Sequence, residues 1–251
     1  MIRCGRFGGR RMTSRPPEAE LEASFEQLCA TVPANVGIAI ARPDRTYSLG
    51  KWSTGVAWST IKVPLAIAAL RDDRSGAHDL ADLVVKAITE SDNRASEDLW
   101  SRLGEPARAA QRVQEVISES GDTTTVVESR RVRRGFTAFG QTQWTLDRQA
   151  RFAERLPVIA DAGAVIDRMH ELTVDHRWGL AAKGIAAKAG WGPGIHGDYL
   201  VRQFGIMPTQ SGRWGVALAA EAHDGVFETG IEVVNALTDW LVSHLPGLAR
   251  F

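Results

Sequence analysis

Cysteine is scarce in this chain. Cys4 and Cys29 are the only two among 251 residues, too few for a disulfide framework. Cys29 sits among apolar residues of an expected helix, where a buried structural thiol is the plain reading. No sign of charge predominates. Thirty Lys and Arg balance thirty Asp and Glu, which argues against a nucleic-acid binder or a strongly electrostatic membrane partner. No stretch approaches the ~18 apolar residues that a membrane span needs. The histidines (His78, His170, His176, His196, His223 and His244) lack metal-ligand spacing, so no metal and no other cofactor is expected. An export signal is also missing. The opening MIRCGRFGGRRMTSRP contains an Arg pair, but Glu18, Glu20, Glu22 and Glu26 follow where an apolar segment should stand. Residues 1–16 read as a disordered basic tail, Met12 offers an alternative start, and the expected location is cytoplasmic.

What is present suits one substantial domain. Hydrophobic residues make up 44% of the chain, enough for one core or for two lobes sharing an interface. From Pro17 to about Val32, Leu21, Phe25 and Leu28 recur at helical spacing. Val36 to Arg42 reads as a strand, Pro43-Asp44-Arg45 as a turn and Thr46 to Leu49 as its hairpin partner. A helix is expected from about Ser59 to Leu70. Further helices are expected over Ala81–Ile88, Ser96–Leu103, Pro106–Ile117, Leu146–Leu156 and Val158–Leu172, with a basic loop from Gly121 to Thr145. The pattern then changes to strands at Ile185–Gly190, Tyr199–Met207 and Trp214–Ala220, and Val226–Leu245 closes as a helix with one apolar face. The order predicts an α+β fold, an antiparallel five-stranded sheet flanked by helices plus an all-helical lobe. The sheet lobe takes 17–58 and 178–251, the helical lobe 59–177. A cleft between them is the natural place for a site.

Three short motifs carry the chemistry. Ser59-Thr60-Ile61-Lys62 puts a hydroxyl and an amine one helical turn apart. A serine is a poor nucleophile until a base takes its proton, and a helix N-terminus favours developing negative charge. The pattern alone is weak, because Ser48-Leu49-Gly50-Lys51 matches too, although without a helix to align its groups. Ser91-Asp92-Asn93 lies between two expected helices. It reads either as a helix cap or as a proton-relaying serine with an amide-binding asparagine. Lys188-Ala189-Gly190-Trp191 lies on a strand. Lys188 is either an ordinary edge lysine or a cation for a substrate carboxylate, and Gly190 would let backbone approach closely.

In this order, on helix, loop and strand, the motifs resemble those of the serine β-lactamase and penicillin-binding protein superfamily, nearest class A. His176-Arg177-Trp178-Gly179 before the lysine strand adds to the resemblance, which runs from Pro17 to the C-terminus. It implies that Ser59 is acylated, Lys62 is the general base and Ser91 relays a proton. Asn93 would hold a substrate amide and Lys188 would steer a carboxylate. The backbone N–H groups of Ser59 and Trp191 would form the oxyanion hole, with Asp92 bonding within its own loop. The implied partner is a small-molecule substrate: a β-lactam, a D-alanyl peptide or an ester. The superfamily usually works outside the cytoplasm, against the missing signal. Trp58 and Trp191 flank the motifs as candidate cleft walls, and His196 lies in the turn beside the lysine strand.

The sequence departs from the family twice. Ala189 stands where Thr or Ser is usual, which removes a hydrogen bond worth about 1.5–3 kcal/mol to a carboxylate. The class A glutamate that activates the deacylating water precedes two residues and Leu-Asn. The corresponding stretch, ESRRVRRGFTAFGQTQW from Glu128 to Trp144, holds no such motif. Gln141 and Gln143 cannot serve as bases at neutral pH. The reading is therefore a serine hydrolase with slow deacylation. The alternatives are a non-catalytic or penicillin-binding-like protein on the same scaffold, and a cytosolic serine esterase.

Overall fold

The structure, a computed structural model, describes residues 17–72, 78–210 and 212–249. The basic tail expected over 1–16 lies outside the described residues. Helix α1 (Pro17–Thr31) leads into strands β1 (Ala34–Ala41), β2 (Thr46–Gly50) and β3 (Thr54–Val56). The helices α2 (Lys62–Asp72), α3 (His78–Thr89), α4 (Asn93–Arg102) and α5 (Pro106–Ser118) follow. Then come β4 (Gln143–Thr145), α6 (Leu146–Arg155), α7 (Gly163–His170), β5 (Ala186–Pro193), β6 (Tyr199–Thr209), β7 (Gly212–Ala222) and α8 (Phe227–Leu248). The main sheet has five strands in the order β2-β1-β7-β6-β5, all antiparallel. Its central strands come from the two ends of the chain, and β5 forms an edge.

Strand alternation sorts the sheet's side chains onto two cores. Val36, Ile38 and Ile40 of β1 and Val216, Leu218 and Ala220 of β7 face α1 and α8, where Phe25 meets Trp240 edge-on at 4.9 Å. The opposite face carries small residues, Ala39, Ala41, Ala217 and Ala219, which let α6 approach closely. Gly215 shows how closely: a Cβ there would lie 1.9 Å from the Ala150 carbonyl oxygen. On β5 the same alternation sends Ala187, Ala189 and Trp191 to the α1/α8 side. Lys188 and Gly190, two residues apart, point the other way, toward the helices.

The structure corrects the expected elements in three places. The helix expected from Ser59 begins at Lys62. Trp58 to Ile61 form a tight 3-10 turn, in which the Lys62 N–H donates to the Ser59 and Thr60 carbonyls. Pro64, third in α2, has no N–H to extend regular bonding back to Thr60, while its place in the first turn costs little. The helix expected over Val158–Leu172 is only Gly163–His170, because Asp161 adopts a left-handed backbone (φ 63°) that interrupts it. The expected 121–145 loop contains β4, which pairs with β3 in a two-stranded sheet. Helix α2 is buried on every side from Lys62 to Ala69, so Ser59 sits at the entrance to a core helix. Among the described residues no helix is long and apolar enough to cross a membrane, and no group of His, Cys, Asp and Glu could hold a metal ion.

Candidate active site

The residues around Ser59 are held by tight backbone packing. Trp58, just before it, takes a left-handed conformation (φ 50°), and Ser91 does the same (φ 54°). Non-glycine residues pay about 1–3 kcal/mol for such strain and keep it only where the surroundings fix it. Gly190 of β5 lies directly against the Ser59 turn. A Cβ on it would come 2.7 Å from the Ser59 nitrogen and 2.8 Å from the Ala57 carbonyl oxygen, so any side chain there would push the strand off the turn.

The two lysines meet on Ser91. The Lys188 Nζ donates to Ser91 Oγ at 2.9 Å, and the Lys62 Nζ approaches the same oxygen at 3.4 Å. Lys62 also donates to the Ser91 carbonyl and, at 2.8 Å, to Asn93 Oδ1. Lys188 donates to its neighbour's carbonyl, Ala189 O, at 3.1 Å. Asp92 caps α4, its Oδ1 accepting from Ala95 N at 2.6 Å. Within Ser91-Asp92-Asn93, Asp92 is the helix cap, while the Ser91 hydroxyl and the Asn93 amide oxygen meet the lysines.

Ser59 itself is half-buried, and among the described residues its hydroxyl has no hydrogen-bond partner. The expected bond from Lys62 to Ser59 is therefore not made. Two donors of the Lys62 amine are taken by the Ser91 carbonyl and Asn93 Oδ1, and the 3-10 turn gives Ser59 a different orientation from the α-helical start that the spacing predicted.

Burial sets the electrostatics. Lys62 is 1% exposed and Lys188 2% exposed. Removal from water pushes the Lys62 amine down from its ordinary 10.5 to about 7, with the Asp92 carboxylate opposing the shift. Burial, and then the nearby charge of Lys62, lower Lys188 well below its ordinary range. His176 is lowered as well, mainly by burial, against the Thr89 carbonyl and with the charge of Lys188 adding to the effect. Its Nδ1 is 3.3 Å from Thr89 O and its ring packs on Trp191 at 5.1 Å. In the sequence His176 stands out only through its place in the His176-Arg177-Trp178-Gly179 string just before the lysine strand.

These shifts predict an unusual pH dependence of stability. The unfolded chain holds the Lys62 proton up to about 10.5, whereas the folded protein releases it near 7. Between those values the unfolded state binds more protons, so stability rises with pH, by up to about 1.4 kcal/mol per pH unit for each such lysine. Urea denaturation at pH 7 and pH 9 should show this rise, and the double variant Lys62→Met/Lys188→Met should lose it.

The other expected site features lie elsewhere. The Trp191 ring packs among Trp178, Phe227 and His176 on the α8 side of the sheet. Trp58 is buried, edge-on to Phe136 at 5.1 Å and beneath the Arg133 guanidinium. His196 lines a cavity of about 620 Å³ whose walls include Trp58, Arg133 and Gln141 but not Ser59, Lys62, Ser91 or Lys188. Glu128 binds Arg130, its Oε1 accepting from the backbone N at 2.8 Å and from Nε at 3.1 Å, and these bonds hold its carboxyl below the usual range.

Solved structures with the same architecture decide the fold. A class A β-lactamase from Bacteroides cellulosilyticus superposes with a TM-score of 0.72 at 14% identity, over 92% of this chain and 99% of its own. The fold is that of the class A β-lactamases. A β-lactamase from Chitinophaga pinensis gives 0.71 at 15% identity, covering 90% of this chain and 99% of its own. One from Streptosporangium roseum gives 0.69 at 14%, covering 91% and 99%. No family model matches the sequence, and no curated protein matches it. The β-lactamase fold thus extends over nine-tenths of the chain at an identity that speaks for architecture alone.

Proposed function

We propose that the protein is a serine hydrolase that forms an acyl-serine intermediate with a β-lactam or a related amide or ester, and deacylates slowly. The observation that carries this reading is the convergence of two buried lysines on one serine hydroxyl beside the Ser59 turn. Burying two amines is costly and gives a core nothing that leucine would not. An amine near pH 7, however, suits a general base.

In the proposed reaction, neutral Lys62 leaves one of its present acceptors and takes the Ser59 proton. The Ser59 oxygen attacks the carbonyl carbon, and the developing oxyanion lies at the N–H groups of Ser59 and Trp191. The C–N bond of the substrate breaks. The departing nitrogen receives a proton from Ser91, which is replenished from protonated Lys62. Lys188 orients Ser91 and attracts the substrate carboxylate, and Asn93 turns from Lys62 to the substrate amide. The product remains as an ester on Ser59. Its hydrolysis needs a base for water, and among the described residues the carboxylate nearest in sequence to the expected place, Glu128, is engaged by Arg130.

Intact-protein mass spectrometry after incubation with a labelled penicillin tests this. One adduct per chain is expected, absent from Ser59→Ala. No adduct under acylating conditions, or one that survives Ser59→Ala, would count against it.

A further inference from the structure

Arg202 is the least expected residue of the core. It lies on β6 opposite Gly190 in the β5–β6 register, is 0% exposed and has no carboxylate partner among the described residues. Burial pulls its guanidinium down to about 9. A buried cation without a counter-ion is costly, so its bonds must be useful where they fall. They all fall around one segment. Nη1 donates to Gly55 O at 2.9 Å and Val56 O at 3.0 Å. Nη2 donates to Trp144 O and Gln149 Oε1, both at 3.0 Å. Gln149, also 0% exposed, passes the chain on: its Nε2 donates to Thr60 Oγ1 at 2.9 Å. The Thr60 hydroxyl in turn donates to Ala57 O at 2.5 Å.

The carbonyls of Gly55, Val56 and Ala57 are thereby fixed by one continuous buried chain, which ends at Thr60. Trp58 and Ser59 are the two residues between its last two anchors. Trp58 holds the left-handed backbone that turns the strand into the helix, and among the described residues the Ser59 hydroxyl has no bond to fix it. The Ala57 N–H, donating to Thr142 O at 2.7 Å, closes the frame from the far side.

We infer that Arg202, Gln149 and Thr60 are positioning residues for the nucleophile. The chain from guanidinium to amide to hydroxyl holds the strained turn that carries Ser59 at the head of the Lys62 helix and keeps its N–H beside Gly190. The inference rests on the proposed role of Ser59. It differs from a purely structural role in what it predicts: loosening the turn slows the chemical step without moving the ionisation of Lys62 or the affinity for substrate.

The test compares the acylation of wild type, Thr60→Val and Thr60→Ser by a fluorescent penicillin over a range of concentrations and pH. Thr60→Val keeps the volume and removes the hydroxyl. Its limiting acylation rate should fall about 100-fold, as expected for a nucleophile displaced by about 1 Å. The half-saturating concentration and the pH midpoint near 7 should stay unchanged. Thr60→Ser should restore the rate to within about threefold of wild type. Should Thr60→Val fail to fold, Gln149→Glu serves instead. It keeps an acceptor for Arg202 but draws the Thr60 hydroxyl away from Ala57, and the same loss is expected. A folded Thr60→Val that reacts at the wild-type rate, or a Thr60→Ser as slow as Thr60→Val, overturns the inference. A wild type that does not react at Ser59 overturns instead the reading beneath it, and the inference with it.

Discussion

Mixed with an excess of a chromogenic β-lactam, the protein should open about one ring per chain in a rapid burst and then nearly stop. Proton balance separates the two phases. Acylation needs a base to take the Ser59 proton, and in the proposed reaction Lys62, lowered to about 7 by burial, is that base at neutral pH. Hydrolysis of the ester needs a second base, facing a water on the other side of the acyl group. The segment from Glu128 to Trp144 offers only Glu128, bound to Arg130, and two glutamines, of which Gln141 is buried. General-base assistance is worth about 10²–10⁴-fold, so its loss from one half-reaction alone separates the two rates by about that factor. Stopped-flow absorbance gives both phases. Linear turnover from the start, with no burst, would mean that a base operates on the ester.

The second large effect belongs to Lys62→Met. Methionine fills much the same volume and belongs in a buried site, so the fold should tolerate it. The acylation rate at pH 8 should fall about 10³-fold, within the range for a lost general base. In the wild type that rate should rise tenfold per pH unit below 7 and level off above it, because only the neutral amine can accept a proton. The variant should lose this inflection. Lys62→Arg, permanently charged, should be as slow as Lys62→Met. Equal rates in wild type and Lys62→Met would assign the base to another group.

Much of the architecture was legible because burial is written into periodicity. The apolar runs of β1, β6 and β7, buried on both faces, and the apolar stripe of α8 stand out from their polar flanks. The order of helix, strand pair, helical block, three strands and helix then leaves few ways to assemble a sheet. The residues brought together around Ser91 were legible for a different reason. Lys62, Asn93 and Lys188 lie in short motifs whose order along the chain was informative, although the motifs singly were not. What the sequence hid depends on backbone detail and on long-range polar bonds. Nothing local announces that Trp58 and Ser91 adopt left-handed conformations, as both are residue types that usually avoid them. The 3-10 turn at Ser59, which breaks the expected bond to Lys62, follows from that strain and from Pro64. Arg202 is hidden more deeply still. An arginine in a strand ordinarily reads as solvent-facing, and only the approach of β3, β4 and Gln149, each distant in sequence, gives its guanidinium four acceptors inside the core.

The most direct single measurement is a crystal structure of the protein after reaction with a β-lactam. Covalent density should extend from Ser59 Oγ, with the acyl oxygen at the N–H groups of Ser59 and Trp191, the Lys62 amine within hydrogen-bonding distance of Ser59 Oγ, and the ligand's carboxylate toward Lys188. An acyl group attached to any other residue, or a Ser59 ester turned away from both lysines, would contradict the account.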